Sequence, residues 1–154
     1  MQRIASLYDR VVTLLASRTA ESVALLLVRV ALAGIFWRAG RSKVVEGSWF
    51  EISDATRYLF EYEYGAVPLP PEIAAPLATM GEHLFPALLL IGLATRLSAT
   101  ALLAMTLVIQ FFVYPDAWWT THILWVALAG VLIVRGGGAL SLDALIGGGR
   151  RKRG

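Results

Sequence analysis

Cysteine is absent from the 154 residues. Disulfides, thiolate metal centres, iron–sulfur clusters and thiol nucleophiles are thereby excluded from this chain. Histidine occurs only at His83 and His122, too sparsely for a histidine-rich centre, and no metal is expected. Charge is scarce as well: 16% of residues are Asp, Glu, Lys or Arg, against about 25% in soluble domains. Hydrophobic residues make up 57% before glycine is counted, a balance that excludes disorder and disfavours an ordinary soluble enzyme. No two glycines stand four apart, so the strict GxxxG helix-pairing signal is missing. The glycine run at 136–138 precedes no P-loop lysine, and neither a G-x-S-x-G elbow nor an H-E-x-x-H pair occurs. At roughly 150 residues per domain, the length holds a single core.

What the chain has instead is four apolar stretches, at about residues 22–40, 73–95, 97–115 and 117–135. A helix needs roughly 20 apolar residues to cross about 30 Å of hydrocarbon, and each stretch meets that length. They are apolar all round, unlike the surface helices of a soluble bundle. The expected fold is therefore all-α, an integral membrane four-helix bundle over residues 22–135. Arg96 and the Tyr114–Asp116 corner leave room only for tight antiparallel links. Residues 41–72 form a longer outer loop carrying Glu46, Glu51, Asp54, Glu61, Glu63 and Glu72. Within it Trp49, Ile52, Leu59, Phe60 and Tyr62 mark a short amphipathic helix, stopped by Pro68, Pro70 and Pro71.

Residues 1–21 are expected to form an N-terminal interfacial amphipathic helix. Ile4, Leu7, Tyr8, Val11, Leu14 and Leu15 share one face, and Arg3, Arg10 and Arg18 lie off it. Ala31-Leu32-Ala33 resembles a signal cleavage site, but Arg29 interrupts the apolar region before it and Ile35, Phe36 and Trp37 continue it, so the span is read as retained. Nine basic residues fall at the N-terminus, the Arg96 link and the tail, against four on the opposite side (Arg38, Arg41, Lys43 and Arg57). By the positive-inside rule both termini face the cytoplasm. The basic tail, residues 136–154, ends in Arg150–Arg153. That run is expected to anchor on membrane lipids at about 1 kcal/mol per charge. No aromatic residue interleaves it, and no nucleic-acid partner is expected. Ser141 and Asp143 are expected to cap a short helix, Leu142 to Ile146.

Ionisable groups inside a span are costly and face the bundle interior or a water-filled cavity. Counted from the outer ends of their spans at Gly40 and Ile73, Arg29 lies about 16 Å deep and Glu82 about 14 Å, at 1.5 Å per residue. An Arg29–Glu82 ion pair is the expected result. It either fixes helix register, or binds a polar or anionic group, or relays a proton. His83 points about 100° away from Glu82, and Pro86 makes the middle of that span irregular. Nearer the outer surface, at about 6 Å depth by the same rise, Gln110 and His122 form a second layer with Trp125. These three are candidate contacts for the head of an amphipathic ligand such as a quinone, or ordinary interfacial residues. His83 lies about 10 Å deeper than His122, so the two are not expected to share a haem.

On these residues the chain resembles the DoxX family of small bacterial membrane proteins. Arg29, Gly34, Phe36, Gly40 and Lys43 match that family's opening helix, Glu82, Gly92 and Arg96 its second span, and Gly136 to Asp143 its glycine-rich close. His83 departs from the pattern, standing where a small residue is expected, and so does Gly137, where proline is common. The resemblance implies a four-helix protein of the bacterial inner membrane. It also implies a membrane subunit or accessory protein of a quinone-linked redox system serving sulfur or oxidative-stress chemistry. Such a chain has no redox cofactor of its own, uses quinone as its ligand and works beside a soluble or membrane redox partner protein. A self-sufficient enzyme is not implied, and a homo-oligomer is allowed. The competing expectation is a non-catalytic membrane scaffold or small-molecule permease.

Overall fold

The computed structural model describes residues 2–151, and among these every element is helical apart from one isolated antiparallel bridge, Val44 to Ile52. The helices are α1 (Gln2–Leu15), α2 (Arg18–Ser42), α3 (Asp54–Tyr62), α4 (Pro71–Ile91), α5 (Thr95–Phe112), α6 (Ile123–Arg135) and α7 (Leu142–Arg151). A 3-10 turn, Pro115–Ala117, and a π turn, Trp118–His122, lead straight into α6. Four segments are long and apolar enough to cross a membrane: α2, α4, α5, and the run Pro115–Arg135 that ends in α6. The fold is the all-helical four-span bundle expected from the sequence.

The order around the bundle follows the chain. α2 packs on α4 and α6, and α5 packs on the same two helices, so the ring closes. Leu25, Leu32, Ala33 and Phe36 of α2 meet Leu89 of α4, Ala99 and Leu102 of α5, and Ala129 and Leu132 of α6 in one buried core. Leu27, Leu97, Phe111, Leu124 and Val134 point outward and stay exposed. In water that surface would be a liability; against acyl chains it is the solvent-facing side. α1 likewise presents Leu7, Tyr8, Leu14 and Leu15 outward. The side chains of Arg3, Ile4 and Arg150–Arg153 lie outside the described residues.

Local chemistry sets the helix ends. The Ser17 hydroxyl accepts from the Ala20 amide to start α2, and Ser53 does the same for α3 through Thr56. Pro71 opens α4 at the first helical position, where its missing N–H costs nothing. The link between α4 and α5 falls at Gly92–Ala94, slightly before the expected Arg96. Gly92 and Ala94 both adopt left-handed backbone, at φ 70° and 49°. For alanine that conformation costs roughly 1–2 kcal/mol, so something must hold it. α3 packs Phe60 against Ala74 and Ala75 in the first turns of α4. The start of α4 thus extends past the end of α2 into the loop layer.

Candidate functional site

Arg29 is 2% exposed but does not meet Glu82. Its Nη1 donates to the carbonyls of Gly137 (2.9 Å) and Leu140 (2.8 Å), and Nη2 donates to Leu90 O (3.2 Å). One guanidinium therefore ties α2 to the end of α4 and to the segment after α6. Asp143 completes the clasp. Its two carboxylate oxygens accept from the amides of Ala94 and Thr95, each at 2.8 Å, while its own amide donates to Gly92 O. Asp143 thus caps α5 instead of its own helix, and this holds Ala94 in its left-handed turn. Ser141 does cap α7, which runs on to Arg151: its hydroxyl accepts from the Ala144 amide and donates to Gly138 O. Burial alone would raise the Asp143 carboxyl; the hydrogen bonds from Thr95 and Ala94 and the charge of Arg29 outweigh it and hold it below its usual range. The glycines leave room for this closure. A Cβ on Gly92 would lie 2.5 Å from Ser141 Cβ and 2.6 Å from Arg29 Nη1. One on Gly137 would lie 2.7 Å from Ser141 Cβ and Thr95 Oγ1.

Glu82, also 2% exposed, pairs with Lys43. Lys43 Nζ lies 2.9 Å from Oε1 and 2.7 Å from Oε2. The expected Arg29–Glu82 pair is corrected by the position of α4. Gly40 sits directly against Glu82 and His83, since a Cβ there would be 2.9–3.0 Å from their atoms. Glu82 is therefore level with the last turn of α2, and Arg29, eleven residues back, is about 16 Å away along the helix. Gly40 and Ile73 are not equally deep, because α4 starts above α2 to reach α3. Lys43 lies just past α2, and its long stem folds back into the bundle. Its carbonyl is held by the Thr56 hydroxyl (2.8 Å) and the Ser53 amide (3.1 Å), so the start of α3 positions it.

His83 turns away from the ion pair, as its one-residue offset requires. Its ring lies over Gly40 and edge-on to Trp37, with centroids 5.1 Å apart. Nδ1 donates to Thr79 O at 2.7 Å, a backbone bond within its own helix.

Gln110, His122 and Trp125 do come together. The amide of Gln110 donates to Pro115 O at 2.7 Å, so its oxygen is the atom 2.6 Å from His122 Nδ1. A proline carbonyl only accepts, hence Gln110 Oε1 accepts and His122 Nδ1 carries the proton. The neutral ring keeps Nε2 as a lone-pair acceptor. Trp125 packs on the same ring at 5.2 Å and on Phe36 at 5.4 Å. Gln110 uses both its nitrogen and its oxygen in these bonds and acts as the support of His122. The π turn, which offsets the following helix, is what aims His122 inward.

Two cavities meet at the Lys43–Glu82 pair and share Tyr64. The first, about 300 Å³, is a groove between α4 and α5 walled by Phe60, Ala78, Gly81, Phe85 and Met105. Its flanks, Leu77 and Val108, are exposed on the outer surface of the bundle, so the groove opens toward lipid. The second, about 250 Å³, lies inside the bundle between Phe36, Ala39, Tyr114, Thr121, His122 and Trp125. The two polar layers that rise arithmetic separates, Glu82 and His122, thus border one space.

Lys43, Tyr64 and Tyr114 are not among the site residues expected from the sequence. Lys43 reads as one more basic residue at the interface; its place in the family pattern beside Gly40 was the available signal. The tyrosines carried none, because the loop fold alone brings them over the cavity.

The fold and site define a four-span membrane protein with a buried ion pair at the foot of a lipid-facing groove. The family model named DoxX matches residues 24–115, and the chain belongs to that family. An uncharacterized protein of Haemophilus influenzae is 33% identical over 134 residues, covering 82% of this chain and 85% of its own length. No solved structure matches.

Proposed function

We propose that this DoxX-family chain is a membrane subunit or accessory protein of a quinone-linked redox system. It lies in the bacterial inner membrane with both termini cytoplasmic, and the electron-carrying centres reside on a partner protein. The observation that carries this reading is the Lys43–Glu82 pair at the foot of an apolar, lipid-facing groove. A few placed polar groups at the end of an apolar pocket are what fix an amphipathic ligand. The groove suits a polyisoprenoid chain. Lys43 supplies a donor for a ring oxygen, Glu82 a proton acceptor, and His122 Nε2 a second acceptor across the inner cavity. A quinol delivers electrons and protons together when it is oxidised, and on this reading the electrons pass to the partner protein.

The test is mass spectrometry of lipids and proteins that accompany the gently solubilised chain. Quinone is expected with the native protein. It should be lost from Ala78→Phe, which fills the groove, while circular dichroism stays unchanged. A folded native protein that carries neither quinone nor a redox partner would turn the reading to a scaffold or permease.

A further inference from the structure

The inner cavity has an outlet. Tyr114, beyond the end of α5, is exposed and donates its hydroxyl hydrogen bond to exposed Glu63 at 2.6 Å. The Tyr64 ring meets Tyr114 edge-on with centroids 6.3 Å apart, and both tyrosines line the space that Glu82 borders. At about 250 Å³, with polar groups on several walls, the cavity has the size and partners to hold ordered water. Toward the opposite end of the bundle the picture reverses. Leu32, Leu89, Leu102 and Leu132, all fully buried, fill the cross-section between Glu82 and the Arg29 clasp.

We propose that Glu82 exchanges protons with the aqueous phase on the α3 side only, through water in the inner cavity and past the hydroxyls of Tyr64 and Tyr114 to Glu63. The proton leaves the Glu82 carboxyl for cavity water, and the carboxylate that remains pairs with Lys43; protonation reverses this and releases the lysine. No electron moves, and the path does not depend on what fills the groove. The groups facing Glu82 or the cavity it borders are Lys43 from the end of α2, Tyr64 from the loop, and Tyr114 and His122 from the α5–α6 connection, while His83, adjacent on α4, points away. Burial pushes the Tyr64 hydroxyl up, and Tyr114, Glu82 and Glu63 add to the effect. Tyr114 is raised too, chiefly by its bond to Glu63. Both hydroxyls therefore keep their protons and serve as donors throughout the neutral range.

A hydrophobic carbodiimide, dicyclohexylcarbodiimide, reacts with protonated carboxyls and reads this directly. The native chain in right-side-out and inverted membrane vesicles is pulsed with the reagent while the pH of each side is set separately. Peptide mass spectrometry then measures the adduct on Glu82. The adduct should rise several-fold as the α3-side pH falls and stay unmoved by the pH of the other side. In Tyr114→Phe with Glu63→Gln the same final level should be approached more slowly, with the fold intact by circular dichroism. Labelling that follows the other side's pH overturns the proposal, as does a Glu82 that stays unlabelled at every pH. An unaltered rate in the double variant overturns the tyrosine route.

Discussion

Separating Lys43 from Glu82 should be the most damaging side-chain change in the bundle, and the damage should be reversible by removing both. The two side chains are 9% and 2% exposed, so each charge depends on the other for its solvation. Breaking such a pair from one side costs about 3–5 kcal/mol, because the remaining charge stays buried alone. Replacing both partners with apolar groups of similar volume is often neutral. Lys43→Met and Glu82→Leu should thus each lower the thermal midpoint by about 6–20 °C, at roughly 2–4 °C per kcal/mol for a chain of this size. The double variant should recover most of that loss. Detergent-solubilised protein followed by circular dichroism at one fixed scan rate gives the comparison. The same cycle run on Arg29→Leu and Glu82→Leu supplies the control. Arg29 meets α4 at Leu90, about 12 Å along the helix from Glu82 by rise, so those two changes should add to within about 0.5 kcal/mol. Additivity for Lys43 with Glu82, or strong coupling for Arg29 with Glu82, would refute the pairing and restore the one expected from depth alone.

Three further outcomes follow from the clasp and the inner layer. Gly92→Ala should lower the midpoint by more than its backbone cost of about 1–2 kcal/mol implies, because the methyl also enters the Ser141–Arg29 contact. Asp143→Ala should cost about 0.5–2 kcal/mol at neutral pH as a lost helix cap. The native carboxyl titrates below its ordinary value, so its contribution is complete above about pH 3.9, the unfolded value, and is lost as pH falls through the folded one. The gap between native and variant midpoints should therefore close on acidification, and a gap independent of pH would show that the charge is not what caps α5. Finally, nitrogen-15 NMR of labelled histidine should find His122 protonated at Nδ1 when neutral, and Gln110→Leu should abolish that preference; a native ring protonated at Nε2 would reverse the hydrogen-bond assignment.

The fold was legible because its cause is one-dimensional: span number and hairpin links follow from the length of apolar runs and the breaks between them. The site was legible only in part. Gln110, His122 and Trp125 were grouped correctly because they flank one tight corner, where counting residues measures real distance. Arg29 and Glu82 were matched wrongly because they lie on helices joined by a long loop, and nothing in either apolar run reveals that α4 rises above α2 to meet Phe60. The pairing of Lys43 with Glu82 was not legible for a related reason. A lysine one residue beyond a helix is expected to reach outward to the interface, and only the loop that pins its carbonyl to Thr56 and Ser53 sends it inward.

The residues that carry the family pattern divide between the two ends of the bundle, and the division explains why the pattern identifies a fold more readily than a chemistry. Arg29, Gly92 and the Gly136–Asp143 segment all belong to the clasp, where both terminal nitrogens of Arg29 and both carboxylate oxygens of Asp143 are spent on backbone groups. Such a cluster closes the helices. Gly40, Lys43 and Glu82 lie at the other end, where Gly40 admits the close approach of α4 and the ion pair borders two cavities. A buried ion pair is a poor device for stability alone, since apolar replacements of similar volume are often neutral. On the proposed reading, its presence between a lipid-facing groove and a polar chamber serves what enters and leaves there rather than stability. Members of the family that share the clasp but differ at Tyr64, Tyr114 or His122 should keep the bundle while changing the ligand.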